Sequence, residues 1–558
     1  MRTVDWFVLL ASLVGIVGYG LYKSKGAQTT EGYLLGGKTM RWWVIGLSIM
    51  ATQASAITFI GTTGQGYSDG LRFVQFYFGL PIAMVIICAV AAPVFHRSGV
   101  YTAYEFLEKR FDTKTRTLAS AVFLVQRGLG VGIALYAPAV VMAVILNWPE
   151  RVTILLMAAI VVSYTVIGGI KTVMWTDAQQ MLVMFFGLIA AFFAAVYGLP
   201  SEVSFGDALR LAGEAGRLQA INFELNFDDR YNLWSGLIGG SFLALAYFGT
   251  DQSQVQRYLT ARSLRDSRFS LLFNAIVKVP LQFVILLTGA MVFVFFLFIQ
   301  PPALFNPAIA STVEAAASQE LALVQQRYDD AFSQRREAAF NLASADGAVQ
   351  RDAYLGAQRA VDSARNDAVA LAERVTGSPY NDTNYVFLTF VTRHIPPGIV
   401  GLIIAAVFAA AMSTISAELN SLATVSVIDH YQRYIRRGAA DQHYAQASRA
   451  ATAFWGVYAA VFAMFAGQLG SLIEAVNIVG SLFYGAMLGV FVLAFAPWKT
   501  TGTGAFLGIL CGLIAVAATQ LYSDVTFLWF NVIGAAVTVS VGLVVSRLSP
   551  GSTRAAKL

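Results

Sequence analysis

The sequence predicts an all-α protein that crosses a membrane many times. Hydrophobic residues make up 57% of its 558 residues and charged residues only 13%, about half the charged share of a soluble domain. The mean hydropathy is +0.62. The apolar residues come in long segments, and about 20 such residues cross a bilayer as a helix. These observations exclude a soluble globular domain.

The apolar segments predict about thirteen transmembrane helices. In chain order they are residues 4–22, 42–64, 73–95, 118–146, 152–167, 174–197, 233–249, 271–299, 399–428, 450–466, 472–496, 505–521 and 527–545. No small-residue cleavage site follows the first segment, which is therefore predicted to be an uncleaved helix. Cys88 and Cys511 both fall inside apolar segments, so no disulfide or metal framework is predicted.

The basic residues predict which side of the membrane each loop faces. Arginine and lysine are concentrated after the third, seventh and ninth segments and in the tail, which carries Arg547, Arg554 and Lys557. The positive-inside rule places these loops in the cytoplasm. We therefore expect a multi-pass protein of the cell (inner) membrane with its N-terminus outside and its C-terminus in the cytoplasm, as an odd number of helices requires.

One segment, residues 311–377, lacks the apolar pattern and contains no lysine. Leu321, Val324 and Tyr328 recur at helical spacing, and Asp346 precedes a glycine in a turn signal. The segment predicts an antiparallel helical hairpin on the outer face. Two interpretations stay open: an arm that docks a partner or a second copy of the chain, or an insertion that stiffens an external loop.

The second apolar segment contains a small, polar stretch at residues 48–58. Every backbone polar group inside a bilayer must be paired unless it lines a cavity. Helices that break at mid-membrane depth therefore mark solute and ion sites. The carbonyls freed by such a break can bind a cation. The alternative is a continuous helix that packs through its small residues.

The ninth segment carries a group of three closely spaced hydroxyls, on Ser413, Thr414 and Ser416. Such a group of hard oxygens suits a hard cation, which takes about six oxygen ligands. The alternative is that these hydroxyls bond back to the preceding turn of their own helix.

Two further positions place polar or charged residues near the membrane interior. Lys278 lies inside the eighth segment, where it can donate to a solute oxygen, pair with a carboxylate or reach back to the interface. Asp251 and Gln252 follow the end of the seventh segment, where a simple helix end is the alternative.

The run Gly-Gly-Ile-Lys-Thr-Val-Met-Trp-Thr-Asp-Ala-Gln-Gln occupies residues 168–180, between the fifth and sixth segments. Its aspartate, Asp177, lies just inside an apolar segment, where a charge is costly without a partner or a bound cation; the alternative is the first turn of a helix. Together with Thr-Asp-Gln-x-x-Val-Gln-Arg-Tyr-Leu at 250–259 and the stretch 101–111, this run resembles the sodium/solute symporter family over nearly the whole chain outside the hairpin.

The resemblance implies a LeuT-like fold of two inverted five-helix repeats. The implied division is residues 1–40 for an extra helix and a cytoplasmic loop, 41–200 and 201–500 for the repeats, and 501–558 for two further helices and the tail. The external hairpin, 311–377, would be an insertion in the second repeat.

The resemblance also implies Na⁺ as the coupling ion, and it assigns residues. The main sodium site falls on the carbonyls of Ala51, Ala54 and Ala410 and the hydroxyls of Ser413 and Thr414. A second sodium would use Asp177 and Ser416, although Ala417 stands where a serine occurs in members with that site. The solute residues are Thr58, Gln75, Tyr77, Asp251, Gln252, Lys278 and Asn477.

The function implied is sodium-coupled import of a small polar organic solute by alternating access. Lys278 and the Thr-Asp-Gln run resemble the sugar branch, which we favour, whereas residues 255–259 resemble the monocarboxylate and vitamin branch. Ala56 replaces the aspartate of the proline branch. A solute sensor or channel that docks a partner is the alternative of another class. No enzyme is predicted, because the glycines at 128–132 lie within an apolar segment with no preceding strand.

Overall fold

The computed structural model describes residues 2–23, 29–56, 58–146, 148–345, 347–466 and 472–548. Ile57 in the predicted helix break, Asp346 in the predicted turn, and Arg554 and Lys557 in the tail lie outside these residues. Within them the chain is helical, and the only β-type pairing is a single bridge between Met40 and Ala261.

The described residues form twenty-one α-helices. The first eleven are α1 Thr3–Lys23, α2 Thr30–Leu35, α3 Trp42–Gln53, α4 Thr63–Ser68, α5 Leu80–Ala89, α6 Ala91–Ser98, α7 Ala103–Arg110, α8 Thr113–Leu146, α9 Glu150–Tyr197, α10 Phe205–Glu214 and α11 Gly240–Gly249. The others are α12 Gln252–Leu259, α13 Leu264–Phe298, α14 Pro307–Ser344, α15 Ala348–Thr376, α16 Thr383–His394, α17 Ile399–Val425, α18 Asp441–Ala463, α19 Leu472–Phe495, α20 Gly502–Tyr522 and α21 Phe527–Leu548. Short 3₁₀ or π segments lie at Gly36–Lys38, Thr58–Thr62, Gly70–Tyr77, Ser235–Gly239 and Ser426–Ile435.

Each of the thirteen predicted apolar segments coincides with a helical segment. Nine segments of the described chain are long and apolar enough to cross a membrane, and the bent pair at α3 makes a tenth. Helix α9 has 48 residues, about twice the length that a bilayer needs, and therefore holds two of the predicted segments. The shorter apolar helix Ser235–Gly249 and the 23-residue α18 account for the remaining two.

Helix α9 changes direction at Gly169, in the run 168–180. The backbone of this glycine has φ +60° and ψ −166°, a conformation that only glycine adopts readily. A Cβ here would lie 2.7 Å from the carbonyl oxygen of Tyr33. The Gly-Gly pair thus lets α9 turn closely against the loop helix α2, and the second half of α9 carries Asp177 into the core.

Helix α17 forms the centre of the bundle. It packs against α1, α3, α8 and α9, and almost all of its residues are buried. Helix α13 packs along α3 and α4 on another side of the molecule. The break of α3 therefore lies between α17 and α13, the two helices that carry the predicted hydroxyls and Lys278.

Glycine lets α4 and α13 approach backbone to backbone. A Cβ on Gly289 would lie 2.1 Å from the carbonyl oxygen of Thr63, and one on Gly66 would lie 2.4 Å from that of Leu286. Contacts this short must displace one helix, because the obstructing atoms belong to the backbone.

We therefore expect Gly289→Ala to destabilise the protein by about 1–3 kcal/mol, the usual effect of overpacking. Gly18→Ala is the matched control, because Gly18 in α1 has no atom within 4 Å of its would-be Cβ. Thermal unfolding of the purified protein measures both variants. Equal melting temperatures for the two would contradict the close contact.

The segment at residues 311–377 forms the predicted helical hairpin, within α14 and α15. Its apolar faces meet in a small core that includes Val324, Tyr328 and Val361. Several further bonds attach it to the rest of the molecule, and three of them reach different elements. Arg335 Nη2 donates to the Phe296 carbonyl at 2.8 Å, Arg365 pairs with Asp382 at 2.5 Å, and Tyr354 Oη donates to the Leu211 carbonyl at 3.4 Å. The hairpin is thus fixed to α13, to the residue before α16, and to α10, as a stiffening insertion requires.

Candidate ion and solute site

The second transmembrane segment is broken, as the sequence predicted. Helix α3 ends at Gln53, and the next helical segment, Thr58–Ser68, leaves at an angle of 62°. Ala54 at the break has φ −83° and ψ 54°, outside the helical range. A helix that ends inside the bundle exposes the carbonyls of its last turn, and these carbonyls are the first element of the site.

Two of the last three carbonyls of α3 accept hydroxyl hydrogen bonds. Thr414 Oγ1 donates to the Thr52 carbonyl at 3.0 Å, and Thr58 Oγ1 donates to the Gln53 carbonyl at 2.9 Å. For the third, that of Ala51, the described part of the chain supplies no partner. The bond from Thr414 shows that α17 meets α3 at its broken end.

The three predicted hydroxyls of α17 differ in their hydrogen-bond partners. Ser416 Oγ donates to the Ser413 carbonyl at 3.1 Å, and Thr414 Oγ1 lies 3.2 Å from the Ala410 carbonyl, so both bond back to their own helix. Ser413 Oγ is buried without a hydrogen bond of ordinary geometry to any described residue, and it interacts with the carboxylate of Asp177. Ser413 and Thr414 therefore both reach beyond their own helix, Ser413 toward Asp177 and Thr414 toward the Thr52 carbonyl.

Asp177 is fully buried, and its counter-charge is Arg257 of α12. Arg257 Nη2 lies 3.0 Å from Asp177 Oδ2, and neither side chain is exposed. Ser48 Oγ donates to the same carboxylate oxygen at 2.6 Å, and Arg257 Nε donates to that hydroxyl at 2.9 Å. Arg257 also donates to Thr52 Oγ1. Asp177 thus has the partner that its position in an apolar segment requires.

A cavity lies beside the break and α17. The space open to the centres of water molecules is about 130 Å³, enough for on the order of ten waters. Its lining includes four of the seven predicted solute residues: Thr58, Tyr77, Lys278 and Asn477. Thr414 of the predicted sodium site also lines it, so the two candidate sites adjoin.

The two predicted glutamines do not line this cavity. Gln75 Nε2 donates to the Tyr231 carbonyl at 2.9 Å, and Gln252 Oε1 accepts from the Ala103 amide at 2.9 Å. Both side-chain amides are thus bonded to backbone groups, and they hold distant segments of the chain together. Asp251 does not line the cavity either, but it binds a residue that does.

Lys278 lies inside the bundle and does not reach the interface. Its side chain is fully buried, and its Nζ makes no hydrogen bond to any described residue. The ammonium lies 5.2 Å from the centre of the Tyr77 ring, within the range of a cation–π contact. A buried amine whose nearest attraction is an aromatic face remains able to bind a ligand in the cavity.

Arg127 and Glu418 form an ion pair in the cavity wall that was not predicted from the sequence. Arg127 Nη1 donates to Glu418 Oε1 at 2.8 Å, and Nη2 donates to Asp251 and, at 2.8 Å, to Tyr484 Oη. Glu418 Oε2 makes no hydrogen bond within the described residues. Both residues interrupt apolar segments, the signal that singled out Lys278, and would have been found by applying it throughout.

We expect Arg127→Met to fold poorly, because it leaves Glu418 and Asp251 buried without their counter-charge, a loss of about 3–5 kcal/mol. Glu418→Gln should destabilise the protein much less, because the amide oxygen of glutamine can still accept a hydrogen bond from Arg127. The yield of monodisperse protein and its thermal unfolding measure both. Arg97→Met, at an exposed arginine, is the control, and wild-type stability of Arg127→Met would contradict the ion-pair cluster.

Comparison with known proteins identifies the family of the chain. A family model described as "Sodium:solute symporter family" matches residues 33–326 and 362–512 and leaves out the middle of the hairpin. The sodium/glucose cotransporter of Vibrio parahaemolyticus is 29% identical over 525 residues, which cover 91% of this chain and 84% of that relative. The human sodium-coupled monocarboxylate transporter 1 is 25% identical and is matched over 91% of this chain and 72% of its own.

Among solved structures, the substrate-bound outward-open state of a Na⁺-coupled sialic acid symporter superposes with a TM-score of 0.77. The alignment covers 98% of both chains at 23% identity. At this identity the likeness is one of fold, and it confirms the predicted all-α LeuT-like architecture.

Proposed function

Because the chain belongs to the sodium:solute symporter family, and so is a membrane-embedded sodium-coupled symporter, we propose that it imports a small hydroxylated organic acid with sodium. Such a solute combines the hydroxyls of a sugar with a carboxylate. The observation that carries the proposal is Lys278, whose fully buried amine lines the cavity with no hydrogen-bond partner among the described residues.

A solute carboxylate would give Lys278 the counter-charge that it lacks. An ammonium taken out of water without a partner is unfavourable, and a charge-assisted hydrogen bond to a carboxylate is among the strong ones. The unbonded oxygen of Glu418 can accept a solute hydroxyl on the same cavity wall. Thr58, Tyr77 and Asn477 add polar groups for further hydroxyls.

For sodium we propose the carbonyls of Ala51, Ala54 and Ala410 with the hydroxyls of Ser413 and Thr414. Three observations support this set. The carbonyl of Ala51 has no partner among the described residues, and Thr414 contacts the broken end of α3. The hydroxyl of Ser413 makes no hydrogen bond to its own helix. A second sodium at Asp177 and Ser416 is a weaker candidate, because Arg257 already neutralises that carboxylate.

In the proposed cycle, sodium enters from outside and bridges the broken α3 to α17. Because Thr414 belongs to both the ion set and the cavity wall, a bound sodium orders the solute site, and each ligand raises the affinity for the other equally. Alternating access then releases both to the cytoplasm. The inverted repeats at 41–200 and 201–500, and the outside N-terminus, are parts of the same proposal.

Two other solutes have a specific observation in their favour. A neutral sugar is favoured by the 29% identity to the Vibrio parahaemolyticus sodium/glucose cotransporter. A simple monocarboxylate is favoured by the 25% identity to the human monocarboxylate transporter. The three solutes differ in whether they carry a carboxylate, hydroxyls or both.

Thermal stabilisation of the purified protein by matched solutes, in sodium and in potassium, tests the proposal. Galacturonate carries both hydroxyls and a carboxylate. Galactose carries hydroxyls without a carboxylate, and pyruvate carries a carboxylate without hydroxyls. We expect galacturonate to stabilise most, and only in sodium. A larger effect of galactose or pyruvate would replace the proposed solute class, and equal effects in potassium would contradict sodium coupling. Uphill uptake into vesicles then separates a carrier from a channel or sensor.

A further inference from the structure

A second pocket lies at the end of α1, away from the solute cavity. Lys23, Arg41, Trp43 and Trp175 form its walls, and the space open to the centres of water molecules is about 330 Å³. Two of the four side chains are basic, and no carboxylate lines the described pocket. Helix α1 precedes the residues that match the family model, which begin at residue 33.

Close packing of α1 against α9 builds one wall of this pocket. A Cβ on Gly20 would lie 2.3 Å from Thr176 Cγ2, so the glycine lets the two helices touch. The contact brings Lys23 Nζ to 5.5 Å from the centre of the Trp175 ring. Trp175 also meets Trp43 edge to face, with ring centres 5.6 Å apart. Both tryptophans are thereby held in place.

The loop from Gly36 to Arg41 builds the opposite wall. Gly36, Gly37 and Lys38 all have positive φ, between 53° and 64°, which turns the chain sharply before α3. Met40 N donates to the Thr260 carbonyl at 3.2 Å and anchors the loop. The pocket is therefore a fixed feature of the fold.

The carboxylate of Asp266 lies beside this loop and is already hydrogen-bonded. Asp266 accepts hydrogen bonds from Arg262 Nε at 2.8 Å and from the Trp42 amide at 3.3 Å. Among the described residues Lys23 and Arg41 form no ion pair, so their charges can bind an anion from outside the chain.

We propose that this pocket binds the phosphate of an anionic phospholipid headgroup. Tryptophan and tyrosine collect where a membrane meets water, and basic pockets between helices on the cytoplasmic side bind anionic headgroups. The end of α1 also presents Tyr22, which is 63% exposed, beside Lys23. The proposed topology assigns this end of α1 to the cytoplasm, the side on which anionic lipids attract basic residues.

Native mass spectrometry of the purified full-length protein with added phosphatidylglycerol tests the site. We expect the double variant Lys23→Gln/Arg41→Gln to bind its tightest phosphatidylglycerol about 30-fold more weakly than wild type, since two basic contacts are lost. Phosphatidylcholine should show no such difference. The matched control is Arg97→Gln/Lys499→Gln, which removes two exposed basic residues elsewhere and should bind as wild type does.

The readout requires neither solute nor transport, so it stands apart from the proposed function. Equal phosphatidylglycerol binding by wild type and the pocket variant would overturn the site. So would an equal loss in the control pair, which would indicate a general effect of net charge. Displacement of the lipid by millimolar inorganic phosphate would overturn the lipid assignment and indicate a soluble phosphate ligand.

Discussion

Replacing both Ser413 and Thr414 by alanine is expected to shift the sodium activation of transport to far higher sodium concentrations while the protein still folds. The two hydroxyls are the only side-chain ligands in the proposed sodium set; the others are carbonyls. Because hydrogen bonds to charged groups contribute about 1.5–3 kcal/mol each, losing two comparable oxygen ligands should weaken sodium binding by about 100-fold or more. Solute uptake into proteoliposomes as a function of sodium concentration measures the change.

Ser421→Ala is the matched control for this double variant. Ser421 is buried on the same helix, and its hydroxyl donates to the Glu418 carbonyl at 2.8 Å. Its loss removes one neutral hydrogen bond, worth about 1 kcal/mol, and no proposed ion ligand. Unchanged sodium activation in the double variant, with wild-type amounts of folded protein, would remove Ser413 and Thr414 from the sodium site.

Lys278→Met is expected to reduce solute transport strongly while the stability of the protein is kept. Methionine keeps most of the length of the side chain and removes a buried amine that has no described partner, so the protein should be as stable as wild type or more so. Uptake of the hydroxylated acid should fall by about 10–100-fold, since a charge-assisted hydrogen bond to the carboxylate is lost. Thermal unfolding and uptake, measured on the same preparation, provide both numbers.

Lys114→Met supplies the control, because Lys114 is exposed near the start of α8 and far in sequence from the cavity residues on α13. The solute series adds a second comparison. If Lys278 binds a carboxylate, the variant should lose uptake of galacturonate far more than uptake of galactose. A destabilised variant with normal uptake kinetics would assign Lys278 a structural role instead.

The fold was predictable because a transmembrane helix is a local property of the sequence. About 20 consecutive apolar residues identify such a helix, and each predicted segment coincides with a helical segment, most of them long and apolar enough to cross a membrane. Even the bend of α9 was marked locally, by the glycine pair that includes Gly169. The hairpin followed from helical periodicity in a segment too polar for the membrane.

The site was predictable only in part, because the direction of a side chain is set by distant neighbours. Thr58, Tyr77, Lys278 and Asn477 do meet in one cavity, but Gln75 binds a backbone carbonyl 156 residues away. The Arg127–Glu418 pair joins residues 291 positions apart. Each charge was visible in its apolar segment, whereas only the fold shows that they are partners.

The buried pair of Asp177 and Arg257 has a consequence for the electrical current that the protein carries. With Arg257 in place, a sodium ion at Asp177 would add a second positive charge to a single carboxylate, so we expect one sodium ion per cycle. One sodium ion and one monovalent acid anion together carry no net charge. Uptake of such an acid should then be insensitive to a potassium diffusion potential, whereas uptake of a neutral sugar should generate an inward current.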